Sequence, residues 1–193
     1  MNKELSEMTL EELWELFPII LKEYNPDYKH WYKIEETDLK YHLGDNIHRI
    51  SHIGSTAVEG LIAKPIVDIL LEADNSCNII WLKKTIMELG WILMSSKEEP
   101  DMNMSFNKGY TSKGFAEKVY LLHVRYYGDW DELYFRDYLR EYKDSRKEYE
   151  KLKLNIWKTY EHNRDGYTQA KSELVKKYSA LARESYQGRY LPT

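Results

Sequence analysis

An α/β (α+β) fold, with a small mixed β-sheet flanked by N- and C-terminal helices, is predicted by three observations. Strand-like apolar runs are confined to the middle of the chain, at 48–53, 65–71 and 118–126. One amphipathic helix, Ile79 to Leu89 and stopped by Gly90, separates the second run from the later ones. Helix-start signals dominate both ends, before Gly44 and from about residue 130 onward. At 193 residues with 42% hydrophobic content, the chain suits one domain, 1–193, with its own core.

Taken in order, Thr9-Leu10-Glu11-Glu12 is a capping box, with Leu13, Trp14, Leu16 and Phe17 on the face that follows. Pro18 ends that helix, and Pro18–Leu21 reads as a short edge strand. Asn25-Pro26 sets an N-cap and a first-turn proline, Gly44 sets the stop, and Tyr28, Trp31, Tyr32 and Leu39 mark the inner face between them. His48–Ile53 alternates as a strand, Pro65–Leu71 is a near-continuous apolar strand, and Trp91–Met94 and Met102–Asn107 are shorter ones. Lys108–Lys113 reads as a turn or exposed loop. In the last strand Val119, Leu121, His123, Arg125 and Tyr127 share one face, and Tyr120, Leu122, Val124 and Tyr126 the other. Beyond it, Asp129 or Asp131 opens a helix through Leu139, and Ser145-Arg146-Lys147-Glu148 is a second capping box. Asn163–Gly166 is a loop, and Tyr167–Tyr186 is the final helix.

Composition excludes several classes. One cysteine, Cys77, rules out an internal disulfide framework and fits the reducing cytoplasm. No apolar run is long enough to span a bilayer, and the first residues lack the apolar core of a secretory signal. A net charge of −4 argues against a general nucleic-acid coat. Seventeen Tyr and six Trp against four Phe predict clefts lined by rings that carry polar handles.

The chemistry concentrates between His52 and Asp68. A strand running into Gly54-Ser55-Thr56 gives close backbone approach, hydroxyls and N–H groups at a helix start, which suits phosphate. The same three residues also make an ordinary strand-to-helix turn with Ser55 as cap. Asp68 stands among Ile, Val and Leu, where a carboxylate needs a partner or a cation. Lys64 either pairs with that acid or joins the phosphate ligands, and Glu72 reads as solvent-facing. A phosphate-holding turn followed by an acid on the next strand is what Mg²⁺-assisted phosphoryl chemistry needs, with Asp68 as the metal ligand. His123 shares a strand face with Arg125. With His52 and Asp68 it makes either a ligand set or a base and its orienter. Arg136 and Arg140, one helical turn apart, either clamp an anion or pair with Glu132, Asp137 and Glu141.

The run His52-Ile53-Gly54-Ser55-Thr56-Ala57-Val58-Glu59-Gly60-Leu61-Ile62-Ala63-Lys64-Pro65-Ile66-Val67-Asp68 resembles the signature of the GrpB family, H-I-G-S-T-A-V-P-G-L-x-A-K-P-x-x-D. Glu59 replaces the usual proline. Phe135-Arg136-Asp137-Tyr138-Leu139-Arg140, Tyr149-Glu150-Lys151-Leu152-Lys153 and Tyr167-Thr168-Gln169-Ala170-Lys171 match the C-terminal half of that pattern in order, which is what draws attention to Lys153 and Lys171. The resemblance implies a nucleotidyltransferase-like fold, a nucleotide or phosphorylated small molecule as ligand, and possession of a divalent metal. It also implies nucleotidyl transfer, against which stands a departure. The superfamily pairs two acids two residues apart and adds a third, whereas Ile66, Leu70 and His123 occupy those positions here. The alternative is a ligand-binding or regulatory domain without turnover.

Overall fold

The computed structural model describes residues 3–98 and 100–192. The Thr9 capping box forms as expected and opens α1 (Leu10–Leu16), with Thr9 Oγ1 accepting from the Glu12 N–H at 3.2 Å. Pro18–Leu21 is extended but is not an edge strand of the sheet. It ties loops together instead: the Ile19 N–H donates to the Glu161 carbonyl at 2.7 Å, and Lys22 bridges Ala63. Pro26, not Asn25, stands at the N-cap of α2 (Asp27–Leu43), and Asn25 one residue earlier accepts from the Asp27 N–H at 2.9 Å. Gly44, at φ +53°, stops it.

The five strands are β1 (Ile47–Ile53), β2 (Val67–Ala73), β3 (Ile92–Lys97), β4 (Asn103–Thr111) and β5 (Gly114–Tyr126), in the order β1-β2-β5-β4-β3. The pairing of β2 with β5 is parallel and the others are antiparallel, so the sheet is mixed as expected. Helix α3 (Ile79–Glu88) lies within the crossover between β2 and β5. One correction concerns Lys108–Lys113. Lys108 to Thr111 continue β4, and only Ser112 and Lys113 form the turn. The lysine that suggested a loop has its ammonium on the buried Glu35 of α2 at 2.9 Å, while Tyr110 packs on Phe17 and Phe115.

The two faces of the sheet follow the strand alternation. Val67, Ile69, Leu71, Tyr120, Leu122 and Val124 pack with Tyr28, Tyr32 and Leu39 of α2 and Leu82 and Ile86 of α3. The C-terminal helices, α4 (Asp131–Glu141), α5 (Lys143–Ile156) and α6 (Arg164–Ser185), lie toward the opposite face, where Leu133 meets Ile53 and Leu70. A second core of Tyr134, Tyr138, Leu139, Tyr149 and Tyr178 joins these helices to Val58 and Leu61. Two helix starts differ from expectation. Ser145 lies inside α5 rather than capping it, and Asn163 caps α6 through the Gly166 N–H at 2.8 Å, so Gly166 is in the first turn. Among the described residues no helix is long and apolar enough to cross a membrane.

Glu72 does not face solvent. It is fully buried on the face toward the C-terminal helices, and the Arg49 guanidinium grips it, Nη2 at 2.7 Å, while the Gly128 N–H donates to it at 3.2 Å. Arg49 lies between the rings of Tyr127 and Tyr190. Removing one partner of a buried pair leaves the other charge uncompensated. Glu72→Gln is therefore expected to lower unfolding stability by about 3 kcal/mol in urea titration, with Arg49→Met, Glu72→Leu together recovering much of the loss.

Candidate functional site

Residues 54–57 differ from expectation in one respect that matters. Ser55–Ala57 is a three-residue 3₁₀ turn and not the start of a longer helix, so no helix dipole is aimed there. Gly54 has φ +68° and ψ −170°, a conformation essentially reserved for glycine. The close approach its missing side chain permits is by the Asp68 carboxylate, since a Cβ on Gly54 would stand 2.6 Å from Asp68 Oδ2. Thr56, expected to meet phosphate, has internal partners. Its buried hydroxyl donates to the Ile66 carbonyl at 3.0 Å and lies 3.0 Å from His52 Nε2. His52 stacks on Tyr32, and burial pushes its pKa down to about 4, with Arg140 and Arg136 adding and Asp68 opposing. This histidine ties the end of β1 to the entry of β2.

Asp68 and His123 do come together. Register sets Asp68 beside Leu121 and Leu70 beside His123, so both side chains rise from the face toward the C-terminal helices. His123 Nε2 lies 3.8 Å from Asp68 Oδ1, and each side chain is about a third exposed. Among the described residues Lys64 is not within ion-pair distance of Asp68; its ammonium lies over the Tyr167 ring, 5.7 Å from the centroid.

Around this acid the fold gathers positive charge. Lys171 lies over the same Tyr167 ring at 4.2 Å, and Lys153, 2% exposed, lies 4.8 Å from the Tyr149 centroid. Lys153 Nζ also donates to Ser55 Oγ at 3.4 Å and to the Ile62 carbonyl. Burial pushes Lys64 down to about 7, with Arg164 and Lys171 adding repulsion and Asp68 opposing. Burial and then Lys171 bring Lys153 to about 7, and burial with Arg164 brings Lys171 to about 8 against the pull of Asp68. The Tyr167 hydroxyl, buried among them, has no hydrogen-bond partner. Arg164, Tyr149 and Tyr167 were not singled out from sequence. The signal was present as two Tyr-x-x-x-Lys spacings, Tyr149/Lys153 and Tyr167/Lys171, which put ring and ammonium on one helical face.

The arginines expected at the rim all have partners within the protein. Arg136 donates to Asp137 at 2.8 Å, to the His52 carbonyl at 3.1 Å and to the Tyr190 hydroxyl at 2.8 Å, so its fork is engaged. Arg140 Nε donates to the Ala57 carbonyl at 2.9 Å, and its exposed end lines a cavity that His52 and Thr56 share with Lys29, Lys33 and Arg146. Arg125 pairs with Glu132 at 2.8 Å and stacks on Trp130. Arg136 and Arg125 are thus engaged within the protein, whereas the end of Arg140 stays open among other cations.

Among the described residues no three His, Cys, Asp or Glu are placed to hold a metal. The donor set is one carboxylate and one imidazole, so Mg²⁺ fits at Asp68 only when phosphate oxygens and water complete its shell. The charge cluster is directly measurable. NMR titration of lysine Cε signals is expected to show three lysines with midpoints near 7, 7 and 8, well below the others. Asp68→Asn should lower the Lys64 and Lys171 midpoints further, because it removes the charge that supports their protonated forms.

Comparison with known proteins places the chain in a family. A profile described as GrpB protein matches residues 18–180. The chain is 32% identical over 161 residues to the glutamate-rich protein GrpB of Alkalihalophilus pseudofirmus, covering 81% of this chain and 91% of that one. It is 30% identical to a UPF0157 protein of Halalkalibacterium halodurans, covering 93% and 92%. The crystal structure of the conserved protein GrpB from Enterococcus faecalis superposes with a TM-score of 0.75 at 26% identity, over 86% of this chain and 99% of that one. The chain therefore belongs to the GrpB family and shares its mixed α/β fold.

Proposed function

We propose that the protein binds a nucleotide or other phosphorylated small molecule over Asp68, together with a divalent ion. One observation carries this reading: Lys64, Lys171 and Arg164 gather about the carboxylate of Asp68, and Lys153, whose own countercharge is Glu150, adjoins them through Lys171. Ammonium groups held with depressed pKa values lack an anion, and a phosphate chain supplies several negative oxygens at once. Ser55 Oγ, half-buried beside Lys153, offers a further donor to a phosphate oxygen. Asp68 offers a hard oxygen to Mg²⁺, and a bound Mg²⁺ would neutralise phosphate charge. His123 orients Asp68 and stands where a proton can be taken from an attacking hydroxyl.

Transfer of a nucleotidyl group is the reaction these parts suit, with the lysines stabilising charge on the departing phosphates. Binding without turnover is the second reading. Its support is the missing acid pair, since Ile66 and Leu70 flank Asp68 and His123 takes the third position. Release of pyrophosphate on incubation with a nucleoside triphosphate and hydroxyl acceptors separates the two.

Calorimetry tests the shared step. A nucleoside triphosphate is expected to bind more tightly with Mg²⁺ than without it, and Asp68→Asn to abolish that difference. Lys171→Met should weaken binding about tenfold or more, the scale of one lost charge-assisted hydrogen bond. A parent protein that binds no phosphate compound, or variants that match it, would rule this reading out.

A further inference from the structure

Between α1 and the sheet lies a cavity of about 510 Å³. That volume is in the range of small-molecule sites, ~300–1,000 Å³. Its wall is largely ring and hydrocarbon, with Trp14, Phe17, Tyr110 and Phe115 on its lining. Phe17 packs against Tyr110 and Phe115 with ring centroids 4.8 and 5.0 Å apart. Two polar residues of the lining, Lys64 and Arg164, belong also to the cation cluster beside Asp68, so the cavity and the phosphate cleft share a wall. A third, Asn107, is 8% exposed; among the described residues its Oδ1 has no hydrogen-bond partner and is wholly enclosed, so a turn of the amide about its last bond would bring it to a guest in the cavity. An enclosed amide without a partner costs free energy that an arriving polar edge recovers.

We propose that this cavity lodges the base of a nucleotide whose phosphates lie on the lysine cluster; the proposal rests on the phosphate reading above and names the rest of the ligand. A flat heteroaromatic ring matches the wall, because every base offers a π-face to the rings. Its hydrogen-bonding edge matches Asn107, whose amide carries both a donor and an acceptor. A hydrocarbon chain would fill the same wall and leave the amide unpaired. The charge at the Lys64 and Arg164 end fixes the orientation, phosphates toward Asp68 and base toward α1.

The experiment compares binding of ATP, CTP, GTP and UTP with that of inorganic triphosphate and a long-chain acyl phosphate, each with Mg²⁺. At least one nucleoside triphosphate is expected to bind about tenfold or more tighter than inorganic triphosphate, and the four bases to differ among themselves. Asn107→Leu, close in shape and free of an unpaired amide, should erase the differences among bases. Phe17→Ala should weaken the nucleotides and leave inorganic triphosphate unchanged, and it keeps the test alive if Asn107→Leu fails to fold. Inorganic triphosphate binding as tightly as all four nucleotides, with both variants silent, overturns the base site while leaving the phosphate reading intact. Tighter binding of the acyl phosphate assigns the cavity to hydrocarbon and overturns it as well. Failure of every phosphate compound removes both readings together.

Discussion

Helices α4 and α5 hold one short stretch of backbone, residues 52–62, and the site depends on that grip. Arg136 donates to the His52 carbonyl, Arg140 to that of Ala57, Arg146 to that of Glu59 and Lys153 to that of Ile62, while Glu150 accepts from the Ile62 N–H. A segment with so little regular structure leaves its peptide groups unpaired, and buried unpaired groups are costly. Charged side chains from outside satisfy them and fix the path of the turn. That path brings Gly54 against Asp68 and Ser55 against Lys153.

The same packing creates an electrostatic imbalance. Closing α5 and α6 over the cleft brings Lys153 and Lys171 beside Lys64 and takes them partly out of water, a change that favours their neutral forms. Elsewhere the protein balances its buried charges: Glu72 with Arg49, Glu35 with Lys108. At Asp68 it does not. Places where a protein breaks its own local rules are where ligands are expected, and an excess of half-desolvated ammonium groups calls for a polyanion rather than for a bare metal ion.

Much of the architecture was readable from the chain because alternation and capping are local signals. The apolar run at 48–53, the faces of β5 and the capping box at Thr9 form as their patterns dictate, and the strand expected at 65–71 forms two residues later, at Val67–Ala73. Lys108 misled because its partner, Glu35, is distant in sequence, so a strand lysine looked like a loop lysine. The candidate site was legible at Gly54, Ser55, Asp68 and His123, which lie within a few residues of strand ends. Arg136 and Arg140 were not legible in their true role, because a basic pair at helical spacing looks the same whether it faces phosphate or backbone carbonyls. Lys153 and Lys171 carry a local sign in their Tyr-x-x-x-Lys spacing, but that they meet Lys64 and Arg164 follows only from the packing of α5 and α6, which no local pattern reports.

The central claim is that the lysine cluster is poised to be charged by its ligand. Proton uptake on binding tests it most directly, through calorimetry of a nucleoside triphosphate with Mg²⁺ at about pH 8 in buffers of different ionisation enthalpy. At that pH Lys64 and Lys153, with pKa values near 7, are largely neutral in the free protein, and an adjoining phosphate raises both. The account predicts uptake of roughly one to two protons per ligand bound, falling toward zero in Lys64→Met, Lys153→Met. Binding that is equally tight but takes up no protons, or releases them, would contradict it.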